Sequence, residues 1–152
     1  MENEKKTHKT AGKVFMCITV FVTAVTAVLS AAAGGQKKLV EKYYAAVIHS
    51  DFDENFGAYF ADGTDYTNSI GAIAEDYAAV SAGFDKTDPT NIIHARINFT
   101  RREIMSLTDS DYYFTVSYYD GGKYSVTTPE LCFHMTRTGL GWKLTTAQPI
   151  KV

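Results

Sequence analysis

The 152-residue chain sets 15 Lys and Arg against 17 Asp and Glu, a net charge of −2, which leaves no basic excess for a nucleic-acid or anionic-lipid surface. Its two cysteines, Cys17 and Cys132, are too few for a disulfide-stapled scaffold, so stability has to come from packing. All 10 tyrosines follow Lys42, and that aromatic surface suffices for the core of one ordinary domain.

The first element is an apolar run. Val14 to Gln36 holds no charged residue, and Lys5, Lys6, Lys9 and Lys13 precede it, diluted by Glu2 and Glu4. A basic stub, an apolar core and small residues at Ala31 and Ala33 have the layout of a secretory signal cut before Gly34. A single membrane span over residues 14–33 also meets the length of roughly 20 mostly apolar residues, although Thr19, Thr23, Thr26 and Ser30 weaken it. Either way the lysines hold the N-terminus in the cytoplasm and residues 37–152 lie outside it. The predicted organisation is a basic stub plus signal peptide or single anchor over 1–36, then one extracytoplasmic domain over 37–152. That domain is secreted or anchored in the cytoplasmic membrane.

Helical spacing follows at once. Leu39, Val40, Tyr43, Ala46 and Val47 recur on one stripe with Lys37, Lys38, Glu41 and Lys42 between them. "HSDFDENFGAYF" predicts a turn into a second, short helix capped by Asp51 or Asp53, with Phe52, Phe56 and Phe60 on one side. After the turn chemistry of "ADGTDYTNS", Ile70, Ile73, Tyr77 and Val80 return to helical spacing, ending at Gly83.

From Ile92 the period changes to two. Ile93, Ala95, Ile97 and Phe99 form the dry side of a strand whose wet side is His94, Arg96, Asn98 and Thr100. Tyr112, Phe114, Val116 and Tyr118 alternate in a second strand, which turns at Asp120-Gly121-Gly122. Pro129 interrupts the return, which favours an edge position or a bulge. Leu131, Phe133 and Met135 continue on one side, and Trp142 shares the alternation of Leu144, so a largely buried Trp142 is expected. Helices first and an antiparallel meander afterwards make an α+β order.

Two segments, "LVEKYYAAVIHSDFDENFGAYF" and "GWKLTTAQPI", make the chain resemble the NTF2-like superfamily, a cone-shaped α+β barrel. Ser50-Asp51 stands where Gly-Asp is usual in that opening helix. The resemblance implies N-terminal helices packed in a curved antiparallel sheet, with a pocket at the open end. It also implies a range of activities, because isomerases, dehydratases, ligand binders and assembly subunits share the cone. Isomerase-like members use a pocket aspartate as proton-transfer base beside a tyrosine and a second acid. Tyr43, Tyr44 and Asp51 are the residues here that could approach a pocket mouth.

No local motif adds a catalytic signature. His94 and His134 fall on the wet faces of two strands, and two histidines without a third ligand make no metal site; neither metal nor cofactor is expected. Cys132 alternates with Glu130 and His134. Adjacent strand residues point to opposite faces, and on that reading Cys132 cannot pair locally with His134 and is inert. Asn98-Phe99-Thr100 matches a glycosylation sequon, which matters only in a eukaryotic secretory pathway. Tyr113 and Tyr119, with Thr115 and Ser117 between them, should stripe the outer face of the sheet as a contact surface, and a homodimer through that face is expected. The leading functional reading is non-catalytic binding of a small apolar ligand or an envelope protein. The alternatives are an anchored assembly subunit similar to NTF2-like components of conjugative secretion systems, and an isomerase-like or dehydratase-like pocket enzyme.

Overall fold

The computed structural model describes residues 16, 19, 20, 35–84, 92–121, 124–139 and 141–152. The chain divides into two compact units, Met1–Gly34 and Gly35–Val152. Residues 16, 19 and 20 of the first are helical; otherwise the expected leader or anchor lies outside the described residues. No helix among the described residues is long and apolar enough to cross a membrane.

In the second unit, helix α1 runs over residues 35–49. Leu39, Val40, Tyr43, Tyr44, Ala46 and Val47 form its buried stripe, while Lys37, Lys38, Glu41 and Lys42 face water. The helix ends in a two-bond cap: the Asp51 N–H donates to the Ala46 carbonyl at 2.9 Å and the Ser50 N–H to the Val47 carbonyl at 3.2 Å. That cap places its pivot residue in the left-handed region, and the residue there is Ser50, at φ +52°. Of the two expected caps of α2 (Glu54–Gly57), Asp53 fills the role, accepting from the N–H groups of Asn55 and Phe56. Phe56 and Phe60 are buried, and Phe52 packs edge-on against Phe56 at 5.0 Å between ring centres. A 3₁₀ turn over Thr67–Ser69 leads into α3 (Ile70–Ser81), two residues shorter than expected.

The sheet contains β1 (Ile93–Ile104), β2 (Asp109–Asp120), β3 (Tyr124–Thr127), β4 (Leu131–Thr138), β5 (Gly141–Leu144) and β6 (Ile150–Lys151). All named pairings are antiparallel. β3 and β4 both pair with β2, at its two ends, so they are one return strand broken around Pro129. Thr128 bridges the break: its N–H donates to the Val116 carbonyl at 2.9 Å, and its Oγ1 accepts from the Val116 N–H at 3.0 Å. The side chain replaces a ladder bond that a proline-bearing strand loses. β5 and β6 likewise both pair with β4, and Phe60 bridges Leu144 on the far side of β5.

β1 departs from the simple alternation. A bulge between Phe99 and Arg101 inserts one residue, so Arg101 and Arg102 lie opposite Tyr113 and Tyr112. Inward positions are odd-numbered before the bulge and even-numbered after it. The expected dry side holds at Ile97, which is buried, and fails at Phe99, which is 55% exposed although its ring still meets Tyr112 at 5.3 Å.

The core lies between α1 and the sheet. Tyr43 meets Phe133 edge-on at 5.0 Å and Tyr44 meets Phe114 at 5.9 Å. Phe114 stacks on Phe133 across β2 and β4 at 5.7 Å. Trp142 shares the inward side with Leu144, but it is half-buried where Leu144 is fully buried. It sits at the sheet end where β5 meets the start of α1, close enough that a Cβ at Gly35 would lie 3.3 Å from its ring.

Candidate functional site

A cavity of about 490 Å³ opens beside the core. α1 contributes Tyr43, Tyr44 and Val47; α3 contributes Ile73, Asp76, Tyr77 and Val80; Tyr118, Val126 and Leu131 come from the sheet. The α3 residues recur at three- and four-residue steps, so one helix face lines the space while the opposite face is solvated. Ring contacts tie the elements together, Tyr44 to Tyr118 at 6.3 Å and Tyr77 to Tyr118 at 5.9 Å.

The cavity's buried polar side chains are phenols, and Asp76, Thr127, Thr128, Gln148 and Lys151 complete its polar lining. Tyr43 donates its hydroxyl to the Ala147 carbonyl at 3.1 Å. Burial pushes the Tyr43, Tyr44 and Tyr118 hydroxyls well above the usual phenol range, with neighbouring phenols and the Asp76 carboxylate adding to the effect. Burial raises Tyr77 as well. These groups keep their protons at neutral pH, and the hydroxyls of Tyr44, Tyr77 and Tyr118 can donate to a ligand oxygen. Asp76 is the cavity's carboxylate; its side chain is 65% exposed and lies 3.9 Å from Lys151 Nζ, a solvated pair at the mouth.

Of the three residues named from the sequence, Tyr43 and Tyr44 line the cavity and Asp51 does not. Asp51 is exposed beyond the end of α1, where its backbone N–H closes the helix, and it does not line the cavity. The left-handed turn at Ser50 carries the chain away from the α1 face that lines the cavity.

On the outward face of the sheet, Tyr113 and Tyr119 lie where the alternation puts them, between inward Tyr112, Phe114 and Tyr118. The Arg101 guanidinium lies 3.7 Å over the Tyr113 ring and is paired with Glu130 and Glu103. His94 stacks on Tyr119 at 5.4 Å. The Asn98 amide donates to Ser117 Oγ at 2.9 Å, so the sequon asparagine is tied into a cross-strand polar ladder.

His94 and His134 are not neighbours, because β2 lies between β1 and β4. His134 instead faces Asp111, directly opposite in register, with Nδ1 2.5 Å from Asp111 Oδ1. The separation of Cys132 from His134 is overturned. They are two residues apart on β4, not adjacent, so they share a face. Ligand atoms of Asp111, Cys132 and His134 all lie within 4.8 Å of one another. Burial pushes the Cys132 thiol up to about 11, reinforced by Asp111 and opposed by a hydrogen bond with Tyr113. At neutral pH it is a thiol and not a nucleophile.

The structure is similar to the crystal structure of an NTF-2 like protein of unknown function from Shewanella oneidensis MR-1. The likeness has 10% identity, covers 80% of this chain and 94% of that one, and has a TM-score of 0.45. No family model and no curated protein matches the chain. The architecture, helices against a curled antiparallel sheet, is the α+β class expected from the sequence.

Sequence reasoning missed Asp76 and Tyr77 as cavity residues, and the Asp111–Cys132–His134 cluster. Tyr77 was legible as one turn beyond Ile73 on the apolar stripe of α3. The cluster was half legible, since a Cys-x-His spacing on a strand puts both on one face; the partner strand's register supplies Asp111.

Proposed function

We propose that residues 35–152 form an NTF2-like binding domain whose cavity holds a small, mainly apolar ligand and carries out no chemical step. The observation that carries this reading is a 490 Å³ space whose buried polar groups are protonated phenols and whose carboxylate is exposed at the rim. The volume falls in the range of about 300–1,000 Å³ common for small-molecule sites. A proton-transfer enzyme needs its base within hydrogen-bond reach of the reacting proton. Asp51 is outside the cavity and Asp76 faces solvent and Lys151, which weighs against the isomerase-like and dehydratase-like alternative. The fitting ligand is a compact ring or short chain bearing one carbonyl or hydroxyl oxygen. Export by residues 1–36, by cleaved signal or retained anchor, belongs to the same proposal; its support is the uncharged run behind four lysines.

The test is titration of the chain with 2-naphthol, followed by amide chemical shifts. Shifts should cluster at Tyr44, Tyr77, Tyr118 and Val126 and should vanish in Val126→Trp, which fills the space. Absent shifts, or shifts confined to the outward face, would sink the reading. The aromatic stripe of Tyr113 and Tyr119 supports a second one, a homodimer or envelope-protein contact through the outer sheet, as an anchored assembly subunit would use. Sedimentation of wild type against Tyr113→Asp/Tyr119→Asp decides that point: loss of self-association supports it, and a monomeric wild type removes it.

A further inference from the structure

We propose that Asp111, Cys132 and His134 form a binding site for a zinc-class divalent metal on the outward face of the sheet. Three donors of different chemistry converge there from two neighbouring strands: a carboxylate and an imidazole directly opposite each other, and a thiol two residues before the imidazole. Their ligand atoms lie within 4.8 Å of one another. Bond lengths of about 2.3 Å to sulfur and 2.0–2.2 Å to nitrogen and oxygen set the ligands of a tetrahedral ion roughly 3.4–3.6 Å apart. The Asp111–His134 pair, at 2.5 Å, has to open by about 1 Å, and the thiol lies no more than 4.8 Å from either partner. Side-chain rotations supply such movements without a change in the strands.

Burial supports the same assignment. Cys132 is 4% exposed yet stands apart from the cluster of core residues, because it belongs to the other face of the sheet. Opposite it in register are Tyr113 and Ile150, which shield the thiol. The Asp111 side chain is 13% exposed and that of His134 is 44% exposed, so one flank of the cluster stays open to solvent. Three protein ligands with an open flank leave a fourth position for water or a ligand atom. On binding, the thiol proton leaves to solvent, and the resulting thiolate and carboxylate balance the two charges of the ion. A sulfur donor favours zinc or cobalt over magnesium and calcium, which take oxygen ligands. Arg101 does not compete for the cluster, since its guanidinium covers Tyr113 and pairs with Glu130 and Glu103.

Cobalt reports on such a site directly. In a Cys17→Ser background of the full chain Cys132 is the only thiol. Adding Co²⁺ should then give a thiolate-to-metal absorption band in the near ultraviolet with intense visible bands of tetrahedral coordination, saturating at one ion per chain and displaced by Zn²⁺. Cys132→Ser should abolish the ultraviolet band. His134→Ala and Asp111→Asn, whose circular dichroism should match the parent, should each weaken binding at least tenfold. Two results would overturn the site: no thiolate band in the parent, or a band that persists with unchanged affinity in His134→Ala and Asp111→Asn.

Discussion

Along β2, Tyr112, Phe114, Val116 and Tyr118 are buried against the helices, while Asp111, Tyr113, Thr115, Ser117 and Tyr119 on the other face are only partly covered. The inward residues meet other rings and aliphatic chains, as Phe114 does with Tyr44 and Phe133. The outward ones meet polar partners: Asp111 with His134, Tyr113 with Arg101, Ser117 with Asn98 and Thr127. One backbone with a side-chain period of two thus carries two surfaces with separate tasks. The inner surface sets stability and shapes the cavity. The outer one can change its chemistry with little consequence for the core.

The largest effect expected from that difference is alkaline unfolding. Tyr43, Tyr44 and Tyr118, all on the inner side, have phenol pKa values raised mainly by burial above the ordinary value of 10.0. An unfolded chain releases these protons near pH 10 and the folded one does not. Their contribution is therefore fully present below pH 10 and is lost as pH rises toward the folded values. Each group withdraws about 1.4 kcal/mol per pH unit, so three withdraw roughly 4 kcal/mol, against a domain stability of about 5–15 kcal/mol. The tyrosinate absorbance of these three inner phenols should appear in a steep step coincident with loss of circular dichroism, within about 2–3 pH units above 10. Ionisation of all 10 tyrosines with the fold intact would mean that the inner phenols are solvated, and the contrast between the faces would fail.

A pair of truncations sharpens the same contrast. Phe133→Ala empties a fully buried position that touches Tyr43 and Phe114, and should cost about 3–5 kcal/mol in denaturant melts. Thr115→Ala, half-exposed between two buried neighbours, should stay within about 0.5 kcal/mol. Comparable losses at both positions would show that the outer face is packed as well.

Much of this arrangement was legible in the sequence because period alone decides it. The stripe of α1 and the inward side of β2 follow directly from residue spacing, and the resemblance of the opening and closing segments pointed to helices against a curved antiparallel sheet. Phe99 keeps the inward parity expected of it, but it lies at the start of a one-residue bulge that has no local signal in "NFTRRE", and the cover of the core stops short of it. Trp142 has the right face, but alternation cannot tell how far along the sheet the cover extends. Asp51, standing with Ser50 where the resemblance has Gly-Asp, is the acid that the sequence offers for a pocket mouth beside Tyr43 and Tyr44. The chain in fact turns away at Ser50 and α3 brings Asp76. Cys132 and His134 shared a face by spacing alone, whereas the opposing Asp111 depended on a register fixed by the whole β2–β4 pairing.

The smallest effect separates inner-side stability from the outer face altogether. Ser50 holds a left-handed φ of +52° at the end of α1, whereas Gly63, at φ +84°, has the residue that such a conformation favours. A side chain there costs about 1–2 kcal/mol relative to glycine, and glycine's greater freedom in the unfolded chain returns roughly 0.5–1 kcal/mol of that. Ser50→Gly should therefore stabilise the domain by about 0.5–1 kcal/mol, raising its melting temperature by roughly 2–4 °C. Ser50→Val should destabilise it, because a β-branched residue is least tolerated at positive φ. Cobalt binding at Asp111, Cys132 and His134 should be unchanged in Ser50→Gly, since the turn belongs to the helical layer. A stabilised variant with altered metal affinity would show that the two faces are coupled through the sheet. Loss of stability in Ser50→Gly would mean that the serine side chain makes a contact worth more than the strain it carries.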